Sequence, residues 1–133
     1  MTDEQIELLD TSWRRLTPHA TAFAAAFYRR LFELDARLED LFVATEMESQ
    51  GQKLVAMLDQ LVTSAHDPDR FAGLLGDSGR RHAGYGVVPG HYRTVGEAML
   101  WALDRTPAGA LPAEERAVWA ESYTRMAALM QKG

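Results

Sequence analysis

The sequence contains no cysteine. That removes disulfides, thiolate metal sites, thiol nucleophiles and thioether-linked cofactors in one step. No stretch is apolar for the length of a membrane span. The richest run, Ala20 to Tyr28, is short and is followed by Arg29 and Arg30. Basic charge is not in excess either: 14 Lys and Arg face 19 Asp and Glu, a net charge of -5. Generic nucleic-acid binding therefore has no electrostatic support. The first residues, Thr2-Asp3-Glu4-Gln5, are acidic and polar and carry no secretory pattern. The expectation is a cytoplasmic protein with neither a membrane nor a nucleic acid as partner.

What is present is helical periodicity. The 133 residues read as one domain, 1–133, with 47% hydrophobic and 25% charged residues. Thr2-x-x-Gln5 has the form of a capping box, and Ile6, Leu9, Trp13 and Leu16 then recur on one face. Thr17-Pro18 ends that helix, because proline disfavours a helical conformation in the residue before it. A second helix carries Phe23, Phe27, Tyr28, Leu31 and Phe32. Asp35 to Leu41 reads as a short helical corner that delivers Phe42. From about Glu46 a long helix presents Gln50, Leu54, Met57, Leu58, Leu61 and Val62. Asp67-Pro68 caps the next, which aligns Phe71, Leu75, Ser78 and His82. Gly84, Gly86 and Pro89 interrupt the pattern. It resumes with Tyr92, Val95, Met99 and Leu103, and again after Pro112 with Trp119, Tyr123, Met126 and Met130. No segment alternates as a strand. The expected fold is all-α, with six or seven helices.

Hydrolase and nucleotide motifs are missing: there is no H-E-x-x-H, G-x-S-x-G or G-x-x-x-x-G-K-[ST]. Gly84, Gly86 and Gly90 do not make G-x-G-x-x-G, and they follow a helix instead of a strand. Four histidines remain. His19, His66 and His91 each neighbour a proline or turn and read as solvated loop or cap residues. His82 differs, because it shares a stripe with Phe71, Leu75 and Ser78 near a helix end. A core histidine hydrogen-bonded to a neighbour explains that position. So does an axial ligand for haem iron, with Ser78 one turn back as an acceptor for the second ring nitrogen.

A pocket for a gas ligand that takes on partial negative charge needs a donor without general wetness. Tyr28 offers a hydroxyl from an apolar helix face. Gln50 offers an amide, and Leu54 shares its face one turn on. Taken singly, each is equally a core tyrosine or a surface glutamine.

Taken together, several segments resemble bacterial globins, and specifically the globin domain of flavohaemoglobins and their single-domain relatives. These are Phe27-Tyr28-x-Arg30-Leu31-Phe32, Leu41-Phe42, Gln50-x-x-Lys53-Leu54 and Arg81-His82-x-x-Tyr85-Gly86-Val87-x-Pro89-x-x-Tyr92-x-x-Val95-Gly96. The resemblance covers essentially the whole chain and implies a globin fold around a b-type haem (iron protoporphyrin IX). It implies His82 as the proximal metal ligand, Tyr28 and Gln50 as distal donors, and Leu54 as the distal wall. Phe42 would pack on the porphyrin and Tyr92 would support the proximal histidine. Lys53 and Arg81 are candidates to pair with the propionates. The corner is shorter here than in flavohaemoglobins. Keeping one offset from His82 selects Gln50 and Leu54, with Gln52 as the alternative.

The implied function is reversible binding of dioxygen, with nitric oxide and carbon monoxide as further ligands, in oxygen binding or scavenging. The alternative is a nitric oxide dioxygenase. These 133 residues hold no flavin- and nicotinamide-binding segment, so that activity would need a separate reductase. The glutamate that flavohaemoglobins place far along the last helix would fall beyond Gly133. A third reading is a gas sensor acting through a partner protein. Trp101 and Trp119 remain open as core or interface residues.

Overall fold

A computed structural model describes residues 2–84 and 89–132, except for the side chains of Ser78, His82, Ala83, Pro89 and Lys132. Among the described residues there are six α-helices, two short 3-10 helices and no strand. The helices are α1 (Asp3–Leu16), α2 (Ala20–Leu34), α3 (Met47–Thr63), α4 (Pro68–Gly84), α5 (Pro89–Leu103) and α6 (Ala113–Lys132). This is the all-α arrangement expected from the periodicity. No described helix is long and apolar enough to cross a membrane.

The boundaries follow local chemistry. Thr2 caps α1 through a reciprocal box: Gln5 N donates to Thr2 Oγ1 at 3.2 Å, and Thr2 N donates to Gln5 Oε1 at 2.8 Å. Pro18 sits in a 3-10 turn, Thr17–His19, that passes directly into α2. Asp35 is extended and ends α2; its Oδ1 accepts from Arg37 N at 3.0 Å and starts the 3-10 corner Ala36–Phe42. The Arg37 guanidinium holds the Asp35 carboxyl below its ordinary range. The Glu46 carboxylate caps α3, accepting from Ser49 N at 2.7 Å and Glu48 N at 3.1 Å. Asp67 Oδ1 accepts from Arg70 N at 3.3 Å at the head of α4.

The core forms where the apolar stripes meet. Trp119 of α6 is 0% exposed, so it is core and not an interface residue. Its Nε1 donates to Ser12 Oγ of α1 at 2.8 Å, which satisfies a donor that burial would otherwise strand. Trp13 meets the same indole edge-on at 6.1 Å, and its own Nε1 donates to Asp59 Oδ1 of α3 at 3.0 Å. Arg15 and Glu115 add a bidentate ion pair between α1 and the head of α6. Elsewhere α2 packs closely on α5 and on α3, and α4 packs on α6.

The α4–α6 contact depends on Gly79. A Cβ there would collide with the backbone of Met130, so the helices approach more closely than any side chain allows. Gly79→Ala is expected to cost about 1–3 kcal/mol through forced separation of the two helices. Urea denaturation checks this, and an unchanged midpoint would contradict the close packing.

Candidate functional site

Tyr28 lies on the inward face of α2 and is 8% exposed. Three aromatic rings surround it: Phe27 edge-on at 4.9 Å, Phe42 edge-on at 5.6 Å and Phe32 tilted at 6.1 Å. Phe42 reaches this cluster because the 3-10 corner turns the chain back, with Leu38 buried as its anchor. A hydroxyl in such surroundings needs a partner. It has one in Gln50, whose Nε2 donates to Tyr28 Oη at 3.2 Å. The Glu46 cap fixes the first turn of α3 and thereby the place of Gln50. Leu54, one turn on, is half-buried against the core.

Burial pushes the Tyr28 pKa above the ordinary tyrosine value, and the bond from Gln50 offsets part of that rise. The hydroxyl therefore keeps its proton at neutral pH. Among the described residues that proton has no acceptor, because the only bond at Oη is received from Gln50. The wall thus carries an unspent O–H donor inside an aromatic and aliphatic lining. Gln52, the alternative to Gln50, is exposed.

His82 belongs to α4, on the stripe anchored by buried Phe71 and Leu75. Its side chain lies outside the described residues, as do that of Ser78 and the segment Tyr85-Gly86-Val87. The proposed Ser78 acceptor is therefore not described. Tyr92 is half-buried in the first turn of α5. Its carbonyl accepts a hydrogen bond from Tyr123 Oη of α6. The Tyr123 ring lies against Gly96, where a Cβ would stand 2.6 Å from ring carbon Cε2. Burial raises the Tyr123 pKa strongly, helped by the nearby Tyr92, and burial also raises that of Tyr92.

The structure thus gathers Tyr28, Gln50, Leu54 and Phe42 into one wall and leaves Lys53 and Arg81 exposed. His91 was expected in a loop or at a cap, yet it sits half-buried in the first turn of α5, since Pro89 opens that helix. Its charge interaction contributes to the lowered pKa of Asp35. His66 is exposed in a turn and His19 is half-buried at the head of α2, as expected for cap residues. Two residues were missed as site members. Phe32 completes the ring cluster, at 5.6 Å from Phe42. Tyr123 ties α6 to Tyr92; its signal was a hydroxyl on the apolar stripe of α6. A groove of about 660 Å³ between α1 and α3 is lined by Asp10, Trp13, Asp59 and His66 and touches none of the predicted site residues.

Comparison with known proteins gives the class. The globin family model matches residues 25–130, and the chain belongs to the globin family. Membership of that family implies haem binding. The chain is 29% identical over 140 residues to a neuroglobin of Tetraodon nigroviridis, covering 96% of this chain and 88% of that protein. It is 27% identical over 117 residues to a flavohemoprotein of Rhizobium meliloti (strain 1021), covering 86% of this chain but 29% of that longer protein. Among solved structures it superposes on a Pseudomonas aeruginosa PAO1 protein described as structurally highly homologous to a human haemoglobin. The TM-score is 0.82, with 25% identity and 96% of each chain covered.

The tyrosine shifts set an alkaline limit on stability. Groups whose folded pKa is raised bind more protons folded than unfolded once pH passes the ordinary tyrosine value of about 10. Their contribution is therefore complete below that pH and is lost as pH rises through the folded values. Stability is expected to fall above pH about 10, and to fall less steeply in Tyr123→Phe. Denaturation midpoints measured across alkaline pH, alongside ultraviolet tyrosinate absorbance, test this. Identical slopes for the two proteins would refute it.

Proposed function

We propose that this globin carries a b-type haem ligated by His82 and binds dioxygen reversibly, with Tyr28 and Gln50 as the hydrogen-bond donors. The observation that carries the reading is the Gln50-to-Tyr28 bond at 3.2 Å, which leaves a buried hydroxyl proton with no acceptor among the described residues. The residues present fit the group. The wall around Tyr28 is aromatic and aliphatic apart from this one donor pair. Among the described residues, α3 and α4 are not one of the closely packed helix pairs.

When bound, the haem supplies a ferrous iron that takes up dioxygen, nitric oxide or carbon monoxide. The chain's own residues set how that ligand is held. Tyr28 keeps its proton on Oη because burial raises its pKa, so it acts as a neutral donor and not as a phenolate. Gln50 donates to the same oxygen, which polarises the hydroxyl and strengthens its own donation. Phe42, Phe32 and Leu54 keep water away, and a dry surround raises the worth of each hydrogen bond. In this proposal Tyr92, held through its carbonyl by Tyr123, supports the proximal histidine. Lys53 and Arg81, both exposed, pair with the propionates. A cytoplasmic location belongs to the same proposal.

A second reading, nitric oxide dioxygenation with a separate reductase, draws on the flavohemoprotein relative, of which this chain spans 29%. Consumption of nitric oxide by the oxygenated protein with a supplied reductase separates this turnover from simple carriage. A gas sensor would instead need a partner whose binding changes with oxygen.

Each hydrogen bond to a partly charged ligand is worth about 1.5–3 kcal/mol. Tyr28→Phe is therefore expected to speed oxygen dissociation by roughly tenfold to a hundredfold. Stopped-flow displacement of oxygen measures it, and an unchanged off-rate removes Tyr28 from the site. His82→Ala is expected to abolish the native Soret spectrum after haem addition. A wild-type spectrum in that variant would exclude His82 as the ligand.

A further inference from the structure

The most unusual surface of the molecule lies on the α2–α5 face, away from the Tyr28–Gln50 wall. There three guanidinium groups surround one indole. The guanidinium carbons of Arg105, Arg30 and Arg29 stand 4.1, 5.3 and 5.7 Å from the Trp101 ring centroid. Arg29 and Arg30 come from α2, Trp101 from the last turn of α5, and Arg105 from just beyond it. Arg105 Nη1 also donates to the Trp101 carbonyl at 3.2 Å, which fixes the nearest guanidinium over the ring.

Charge makes the cluster stand out. Seven other arginines each pair with a carboxylate: Arg14, Arg15, Arg37, Arg80, Arg93, Arg116 and Arg125. Arg70 and Arg81 form no such pair among the described residues, but neither joins this cluster. Among the described residues, Arg29, Arg30 and Arg105 have no carboxylate within 4.0 Å. Glu97, one turn before Trp101 on α5, is taken by Arg93 at 3.6 Å. One stacked arginine suffices to shield an indole edge; three like charges held together repel one another. Among the described residues the positive charge of this arrangement is therefore not offset by a carboxylate of the chain.

We propose that Trp101 with Arg29, Arg30 and Arg105 is a docking surface for a protein partner that presents carboxylates. The composition suits it: tryptophan and arginine dominate the residues that hold protein interfaces together. Trp101 is half-buried, so its ring is rigid yet partly accessible. The guanidinium groups frame a flat ring and line neither the groove between α1 and α3 nor the one between α5 and α6. A frame of that kind matches several carboxylates on a protein surface better than one small anion. A second copy docked with this patch on the two-fold axis would bring the same arginines and repel. The inference stands independently of the haem reading.

The test is isothermal titration calorimetry of the full chain with poly-L-glutamate. Saturable binding is expected, weakening about tenfold or more as salt rises from about 20 to about 200 mM. Arg29→Gln with Arg105→Gln is expected to lower affinity about tenfold or more, while Arg14→Gln with Arg125→Gln leaves it within about twofold. Helical circular dichroism confirms that the double variant folds. Arg29→Gln alone, which removes the most distant of the three contacts, is expected to weaken binding severalfold. Equal affinity of wild type and the Arg29/Arg105 variant would overturn the proposal. So would displacement of poly-L-glutamate by inorganic phosphate at equal charge, which would make this a small-anion site. Tighter, arginine-dependent binding to phosphatidylglycerol vesicles, or arginine-dependent self-association in sedimentation, would overturn it as well.

Discussion

Two buried indole N–H groups hold the arrangement together. A tryptophan donor inside a core must find an acceptor or lose the free energy of its hydration. Trp119 of α6 finds Ser12 of α1, and Trp13 of α1 finds Asp59 of α3. The first helix is thereby tied at the same point to α6 and to α3. Helix α3 bears Gln50 and Leu54, while α6 packs on α4, the helix of His82. Helix α1 contributes none of the candidate site residues, yet it is tied both to the helix of Gln50 and to the helix that packs on α4.

The site works by contrast between one polar pair and its surroundings. A tyrosine hydroxyl among phenylalanine rings would be a liability without a partner, and Gln50 supplies one that donates instead of accepting. The direction of that bond is what matters chemically. It satisfies the oxygen and leaves the proton. Burial then keeps the proton in place by raising the pKa. The same economy recurs at Tyr123, whose hydroxyl is used to fix the Tyr92 backbone. The Trp101 cluster shows the opposite balance, with charge left uncompensated at the surface and available to something else.

Much of this was legible in the chain. The Thr2–Gln5 box, the Thr17-Pro18 break, the corner after Asp35 and the Asp67-Pro68 start all rest on interactions within a few residues. Such interactions can be read from spacing alone. The choice of Gln50 over Gln52 rested on one offset from His82 in the resemblance, and Gln50 is the one that bonds Tyr28 while Gln52 is exposed. Helix length and apolar periodicity likewise carried the all-α architecture. Tyr123 and Phe32 were passed over as site residues because each looks like an ordinary member of a core stripe. His91 was misplaced because Pro89-Gly90 reads as a turn, whereas proline also suits the first position of a helix.

By itself, the sequence determined where the helices lie, which face of each is apolar, and which rare polar groups those faces carry. These follow from local hydrogen bonding and from the 3.6-residue repeat, which need no knowledge of the rest of the chain. Only the tertiary structure decided the pairings across helices. The bond from Gln50 to Tyr28 spans 22 positions, that from Trp119 to Ser12 spans 107, and Arg29 and Arg30 of α2 meet Arg105, just beyond α5, over Trp101. No periodicity encodes such meetings. They arise from close packing, which fixes how far each helix slides and turns against its neighbour, as Gly79 does where α4 meets α6.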